Sequence, residues 1–269
     1  MPFTLAHPAA VIPLRRTRLI RSALVTGAIA PDLLYFIPGP FDHRLGHTLL
    51  GAFYFSLPAG LVVLFLFHRF LKLPLISLLP VHLQSRLAVL CRKFSFWPAA
   101  RLAIILLSLL AGILTHVAWD GFTHEHGVFV SLIPALRQPV AIPFYGDAPL
   151  FKLLQHASTV IGLAVVGWVL LGWSRQAPRA EIRLPLRFRA KTKALVAALL
   201  VASVSGIAIW YGVHRHSSRA INFHAINFHV AQVFAFRLLL AGVLTMAAEL
   251  IVFSTAWHIA ASRATRRPV

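Results

Sequence analysis

Long apolar runs constrain this chain more than any other feature. Crossing roughly 30 Å of hydrocarbon takes about 20 apolar residues at 1.5 Å each. Four runs meet that length: Leu49–Phe67, Leu102–Trp119, Ala194–Val213 and Leu238–Trp257. Thr159–Trp173 reaches it when the helix begins near Leu153, and Ser22–Ile37 is a weaker candidate interrupted by Pro31 and Asp32. Of the 269 residues, 58% are hydrophobic and 12% charged, against about 25% charged in a soluble domain. That balance excludes disorder, a coiled coil and an ordinary soluble enzyme. The expected fold is all-α, a polytopic membrane helical bundle of about five to six transmembrane helices. Two parts are expected, a metal-binding helical core over 1–173 and a basic linker plus two further transmembrane helices over 174–269.

The net charge of +19 raises nucleic acid as a partner, but the cations sit in short loops between apolar runs. Membrane orientation explains that placement better, and no nucleic acid is expected. If Ser22–Ile37 crosses, one side of the membrane holds twenty of the 26 Lys/Arg and the other six. If it does not, the division is sixteen against ten, with the same sign. The richer side is expected to be cytoplasmic, in a multi-pass protein of the cell (inner) membrane. Pro8, Pro13 and the arginines that follow do not read as a cleavable leader. The single cysteine, Cys91, allows neither an internal disulfide nor a thiolate zinc set.

Only seven carboxylates are present, and three of them, Asp42, Asp120 and Glu125, lie within four residues of a histidine in the first half. An ionisable group in an apolar segment is costly, so it is paired, wet or bound to metal. His116, Asp120 and His124 are spaced by four, which puts them on one helical stripe. Imidazole and carboxylate are the usual ligands of zinc and similar ions. Glu125 and His126 follow at once, so the last ligand there is His124 or His126. Asp32 follows the break at Pro31, His43 and His47 are spaced by four where the second run begins, and His156 opens the short fifth run. All of these lie at span ends sharing one face, the Lys/Arg-poor one, as a single centre requires. His7 joins them if residues 1–37 form a hairpin that returns it to Asp32, with Arg15 to Arg21 snorkelling at headgroup level.

The segments Met1-Pro-Phe-Thr-Leu-Ala-His7, Ala30-Pro-Asp32, His47-Thr-Leu-Leu-Gly51, Thr115-His-Val-Ala-Trp-Asp120-Gly-Phe-Thr-His124 and Leu153-Leu-Gln-His156 resemble an uncharacterised family of bacterial integral membrane proteins. That family is similar to inner-membrane metal-dependent hydrolases. More remotely, the order of ligands resembles the zinc-dependent phospholipase C and single-strand nuclease superfamily, all-helical enzymes that cleave phosphoesters with three zinc ions. The resemblance covers about residues 1–165. It implies a first metal on Asp32, His47, His116 and Asp120, a second bridged by Asp120 with His7, and a third on His124 (or His126) and His156. Val160 stands where the superfamily carries an aspartate, so one or two ions, zinc by resemblance, are expected rather than three.

The chemistry that follows is metal-activated water acting on a phosphoester, with Asp32 or Asp120 orienting it. No Gly-x-Ser-x-Gly, Walker or Gly-x-Gly-x-x-Gly element competes for the assignment. A site at the mouth of apolar helices suits an amphiphilic phosphorylated substrate, a phospholipid or lipid-linked phosphate. Two other readings use the same residues: a metal-ion or proton transporter, and a catalytically silent scaffold fixed by a structural metal. His68 and His82 read as interface residues, and the tandem Ala220–His224 and Ala225–His229 as a tolerated loop duplication. Glu249 requires a partner from another helix, and 174–193 reads as a cytoplasmic linker against anionic headgroups.

Overall fold

The computed structural model describes residues 4–37, 42–142, 146–181, 184–217 and 228–265. Its helices are α1 (Arg21–Ile29), α2 (Leu49–Leu78), α3 (Val81–Leu87), α4 (Ala99–Thr123), α5 (Val128–Leu132), α6 (Leu150–Gln176), α7 (Ala190–Ser217) and α8 (Phe228–Thr265). Antiparallel β1 (Pro139–Ile142) and β2 (Gly146–Pro149) pair with Pro139 opposite Pro149. The protein is thus an all-α membrane bundle, with five helices among the described residues long and apolar enough to cross. The sixth candidate, Ser22–Ile37, is not one of them. Its helix α1 has 9 residues, about 14 Å at 1.5 Å each, half of what a bilayer needs.

The division of the chain differs from the expected boundary at 173. One compact unit comprises Met1–Leu66 with Phe94–Gln176, the other Phe67–Lys93 with Ala177–Val269. Residues 67–93 join the C-terminal unit because backbone and polar bonds tie them there. Lys193 donates to the Leu79 carbonyl at 2.6 Å, Ala180 N–H to Ser85 at 3.0 Å, and His258 to Phe70 at 2.9 Å. Helix α2 also runs past its expected end at Phe67, carrying His68, Arg69 and Lys72 in helix rather than loop. The buried Lys72 ammonium is satisfied by the Arg92 carbonyl at 3.0 Å. In the same unit α7 pairs with α8, where Gly242 lies against Val204 and Ala208. The duplicated histidines His224 and His229 lie outside the residues whose side chains are described.

In the first unit, Thr4–Arg16 forms a 3-10 run containing Pro8 and Pro13, which lack the N–H groups a regular α ladder needs. A turn at Thr17, whose hydroxyl donates to Leu14, reverses the chain into α1. Residues 4–37 are therefore a hairpin, with Arg15, Arg16, Arg18 and Arg21 exposed at its turn. Helix α1 lies directly on α4. A Cβ at Gly27 would meet the Leu109 carbonyl at 2.1 Å, and one at Gly112 the Leu24 carbonyl at 2.3 Å. Small residues permit such backbone contact between membrane helices. Ser108 of α4 accepts the Ile20 N–H at 2.9 Å and so pins the start of α1. Beneath the polar cluster, Ala23, Leu64, Ile105 and Leu109 form an apolar core.

Candidate metal centre

Helix α4 supplies the centre's frame. Ile105, Leu109 and Ile113 bury one stripe, and His116 and Asp120 continue it through the last turns, 0% and 5% exposed. The His116 Nδ1 lies 2.7 Å from the Ala28 carbonyl. A carbonyl only accepts, so Nδ1 carries the proton and Nε2 presents its lone pair to the cluster. That arrangement is how metal-binding histidines are commonly oriented.

Pro31 ends the α1 ladder, and the following 3-10 turn holds Asp32 1% exposed. Thr4 donates to Asp32 Oδ2 at 2.6 Å, and the buried Oδ1 faces His47 Nε2 at 3.3 Å and His116 Nε2 at 3.6 Å. His47 closes a 3-10 turn over His43–His47, capped by Asp42, whose side chain accepts the Arg44 N–H at 3.0 Å. The neighbouring Gly46 sits against Pro31 so closely that a Cβ there would meet its carbonyl at 2.4 Å. Ser56 holds the Gly46 carbonyl from the other side at 3.2 Å. The contact between Gly46 and Pro31 is what brings His47 to Asp32.

Four ligand atoms then converge. His47 Nε2 is 3.3 Å from Asp32 Oδ1, 3.0 Å from Asp120 Oδ2 and 3.3 Å from His116 Nε2. His116 Nε2 is 3.3 Å from Asp120 Oδ2 and 3.6 Å from Asp32 Oδ1. A tetrahedral ion with bonds of about 2.0–2.2 Å separates its ligands by about 3.3–3.6 Å. The four ligand atoms all lie within 4.8 Å of one another, and a donor set of two imidazoles and two carboxylates could hold a divalent cation.

The second oxygen of Asp120 opens another position. Oδ1 has no hydrogen-bond partner and faces His7 Nε2 at 3.6 Å and His124 Nδ1 at 3.5 Å. His7 is buried, stacked on His116 with ring centroids 3.7 Å apart, and neither of its nitrogens has a hydrogen-bond partner. At the end of α4 the residue facing the centre is His124, while His126 is exposed. His156 is not brought to the cluster. It stands exposed on α6, where Gln155 is the buried neighbour, and the third ligand set does not assemble around it.

Two carboxylates buried side by side demand compensating positive charge. Burial lowers the His47 imidazole, but its bonds to Asp120 and Asp32 win and carry it up to about 9. Burial raises the Asp32 carboxyl, yet hydrogen bonds from His47 and Thr4 and the nearby His116 hold it below its ordinary value. His7 goes the other way, to about 4, because burial and the adjacent His116 outweigh the carboxylates. It is therefore neutral at physiological pH. Tyr35, raised to about 12 by burial and the surrounding carboxylates, stays a phenol; it stacks on His43 and meets His47 edge-on.

Sequence reasoning missed the outer support: Thr4 on Asp32, the Ala28 carbonyl on His116, and Tyr35. The first lies three residues before His7 and the last three after Asp32, one 3-10 turn in each case. The Ala28 carbonyl leaves no side-chain signal at all. A family model described as a domain of unknown function (DUF4184) matches residues 1–255, and the chain belongs to that family. No curated protein and no solved structure matches it.

Proposed function

We propose that this DUF4184 protein is a membrane-embedded, metal-dependent hydrolase of phosphoesters. The observation that carries the reading is the convergence of Asp32, His47, His116 and Asp120, with His116 oriented by a backbone carbonyl. These four would hold the first ion, zinc by resemblance to inner-membrane metal-dependent hydrolases and, remotely, to the phospholipase C and single-strand nuclease superfamily. His7 would hold a second on Asp120 Oδ1, with His124 Nδ1 held 3.2 Å from the Asp120 carbonyl beside it. Such an ion supplies Lewis-acid chemistry, acidifying water and polarising a phosphoryl oxygen. Asp32 and Asp120 are the catalytic carboxylates. Thr4 fixes the Asp32 carboxylate in place, and Asp120 Oδ1, with no hydrogen-bond partner, is a carboxylate oxygen that could accept a proton from water.

Substrate access follows from exposure. His47 and His124 are the least buried of the six, with side chains 18% and 30% exposed. Leu45, Leu49 and Tyr54 beside the first, and Phe122 and Val128 beside the second, are large and exposed. Apolar groups at the rim of a polar centre suit an amphiphilic phosphoester, with the bilayer as partner. With Ser22–Ile37 not crossing, the excess of sixteen Lys/Arg against ten supports a centre on the extracytoplasmic face of the cell membrane. A transporter is less well supported: Ile113, Leu109 and Ile105, all fully buried, continue the stripe directly below His116.

The test is hydrolysis by purified full-length protein loaded with zinc or manganese, offered soluble phosphodiesters and monoesters and then phospholipids in micelles. Asp120→Asn should lower turnover about a hundredfold or more. Metal-loaded protein that cleaves no phosphoester would overturn the reading.

A further inference from the structure

The second unit contains a cavity of about 500 Å³, within the range of small-molecule sites. Arg179, Arg187 and Lys193 line it against a single carboxylate, Glu181, while Val81 and Phe188 supply apolar wall. The walls are fixed rather than loose. Lys193 is bound to the Leu79 carbonyl, Ala180 to Ser85, and the Gln84 amide donates to the carbonyls of Ile76, Ser77 and Leu79, each at 3.1 Å.

Depth identifies the ligand. Leu79 follows directly on the span Leu49–Leu78, and Lys193 lies in the first turn of the span Ala190–Tyr211. The cavity is therefore level with the ends of two apolar spans, where a bilayer places its headgroups. Among the described residues three cations line it against one anion, an excess of two positive charges, and Val81 stands 73% exposed at its edge. We infer that this cavity binds the phosphate of an anionic phospholipid headgroup, with the lipid's apolar part running past Val81. Basic pockets beside transmembrane helices recognise acidic headgroups in this way. The site is independent of the metal centre, and its residues belong entirely to the other unit.

The experiment is native mass spectrometry of delipidated full-length protein in detergent, titrated separately with phosphatidylglycerol, phosphatidylcholine and inorganic phosphate. Phosphatidylglycerol should bind at least about tenfold more tightly than phosphatidylcholine. Arg179→Gln/Arg187→Gln should weaken it by about ten- to thirtyfold, taking roughly a factor of five per cation removed. Arg179→Lys/Arg187→Lys should keep most of the affinity, and Arg15→Gln/Arg16→Gln, an equal loss of charge in the other unit, should leave it unchanged. If the glutamine pair fails to fold, Arg179→Gln alone should still lose about fivefold. Equal binding in wild type and the glutamine variants, or equal loss in the Arg15/Arg16 control, would overturn the site. Inorganic phosphate binding as tightly as the lipid would overturn the headgroup assignment in favour of a free phosphate.

Discussion

Helices α4 and α7 are alike in length and apolar character but use their glycines in opposite ways. Gly112 of α4 has backbone against it on one side, so a Cβ would strike Leu24 and Ala28, whereas Gly206 of α7 has nothing within 4 Å. Helix α4 buries a full stripe ending in His116 and Asp120, and α7 buries only Ala208 among its described side chains. The difference separates a helix that positions the His/Asp cluster from one whose side chains stand largely exposed. Precise placement of ligands requires neighbours that cannot give way, and α4 has them while α7 does not. Glu249 makes the same point in α8. Its buried Oε2 has no hydrogen-bond partner, and among the described residues no group of three or more potential ligands forms around it.

The largest effect expected from this contrast is on folding. Gly112→Leu forces α1 and α4 apart at the backbone and should cost about 3 kcal/mol or more, abolishing the centre with it. Gly206→Leu should change stability by less than about 0.5 kcal/mol. Thermal unfolding of the two variants in one detergent checks this, and comparable losses in both would show that α4 is no more tightly packed than α7.

A smaller and more specific effect concerns pH. In the metal-free protein His47 is raised to about 9. Its contribution to stability is therefore complete below its ordinary value of about 6.5 and is lost as pH rises through about 9. A metal must displace that proton, so affinity for zinc should climb about tenfold per pH unit between roughly 6.5 and 9 and then level off. His7, neutral above about 4, adds no further slope in that window. Chelator competition at several pH values reads the slope directly. An affinity flat with pH would mean that His47 is not a ligand.

Much of this was legible in the sequence because its causes are local. Apolar runs mark spans by length alone, and the spacing of His116, Asp120 and His124 marks a stripe. The return of His7 to Asp32 was legible as an alternative, because two prolines and the arginine run disfavour a straight crossing. Other features rest on partners distant in the chain. Lys72 continues α2 only because the Arg92 carbonyl receives it, and no property of residues 68–72 announces that bond. Residues 67–93 join the C-terminal unit through Lys193, Ala180 and His258, each more than 90 positions away in sequence. His156 is a converse case: a histidine at the head of a span fits the pattern, but the buried residue of α6 there is Gln155 and His156 stands exposed. The choice between His124 and His126 likewise waited on where α4 ends, at Thr123.

The most direct test of the central claim is elemental analysis of protein purified in detergent without chelator. Wild type should carry near-stoichiometric zinc, manganese or iron. His116→Ala/Asp120→Ala should carry none, and His156→Ala should retain the wild-type content. Absence of metal from the wild type, or its persistence in the double variant, would contradict a centre built on Asp32, His47, His116 and Asp120.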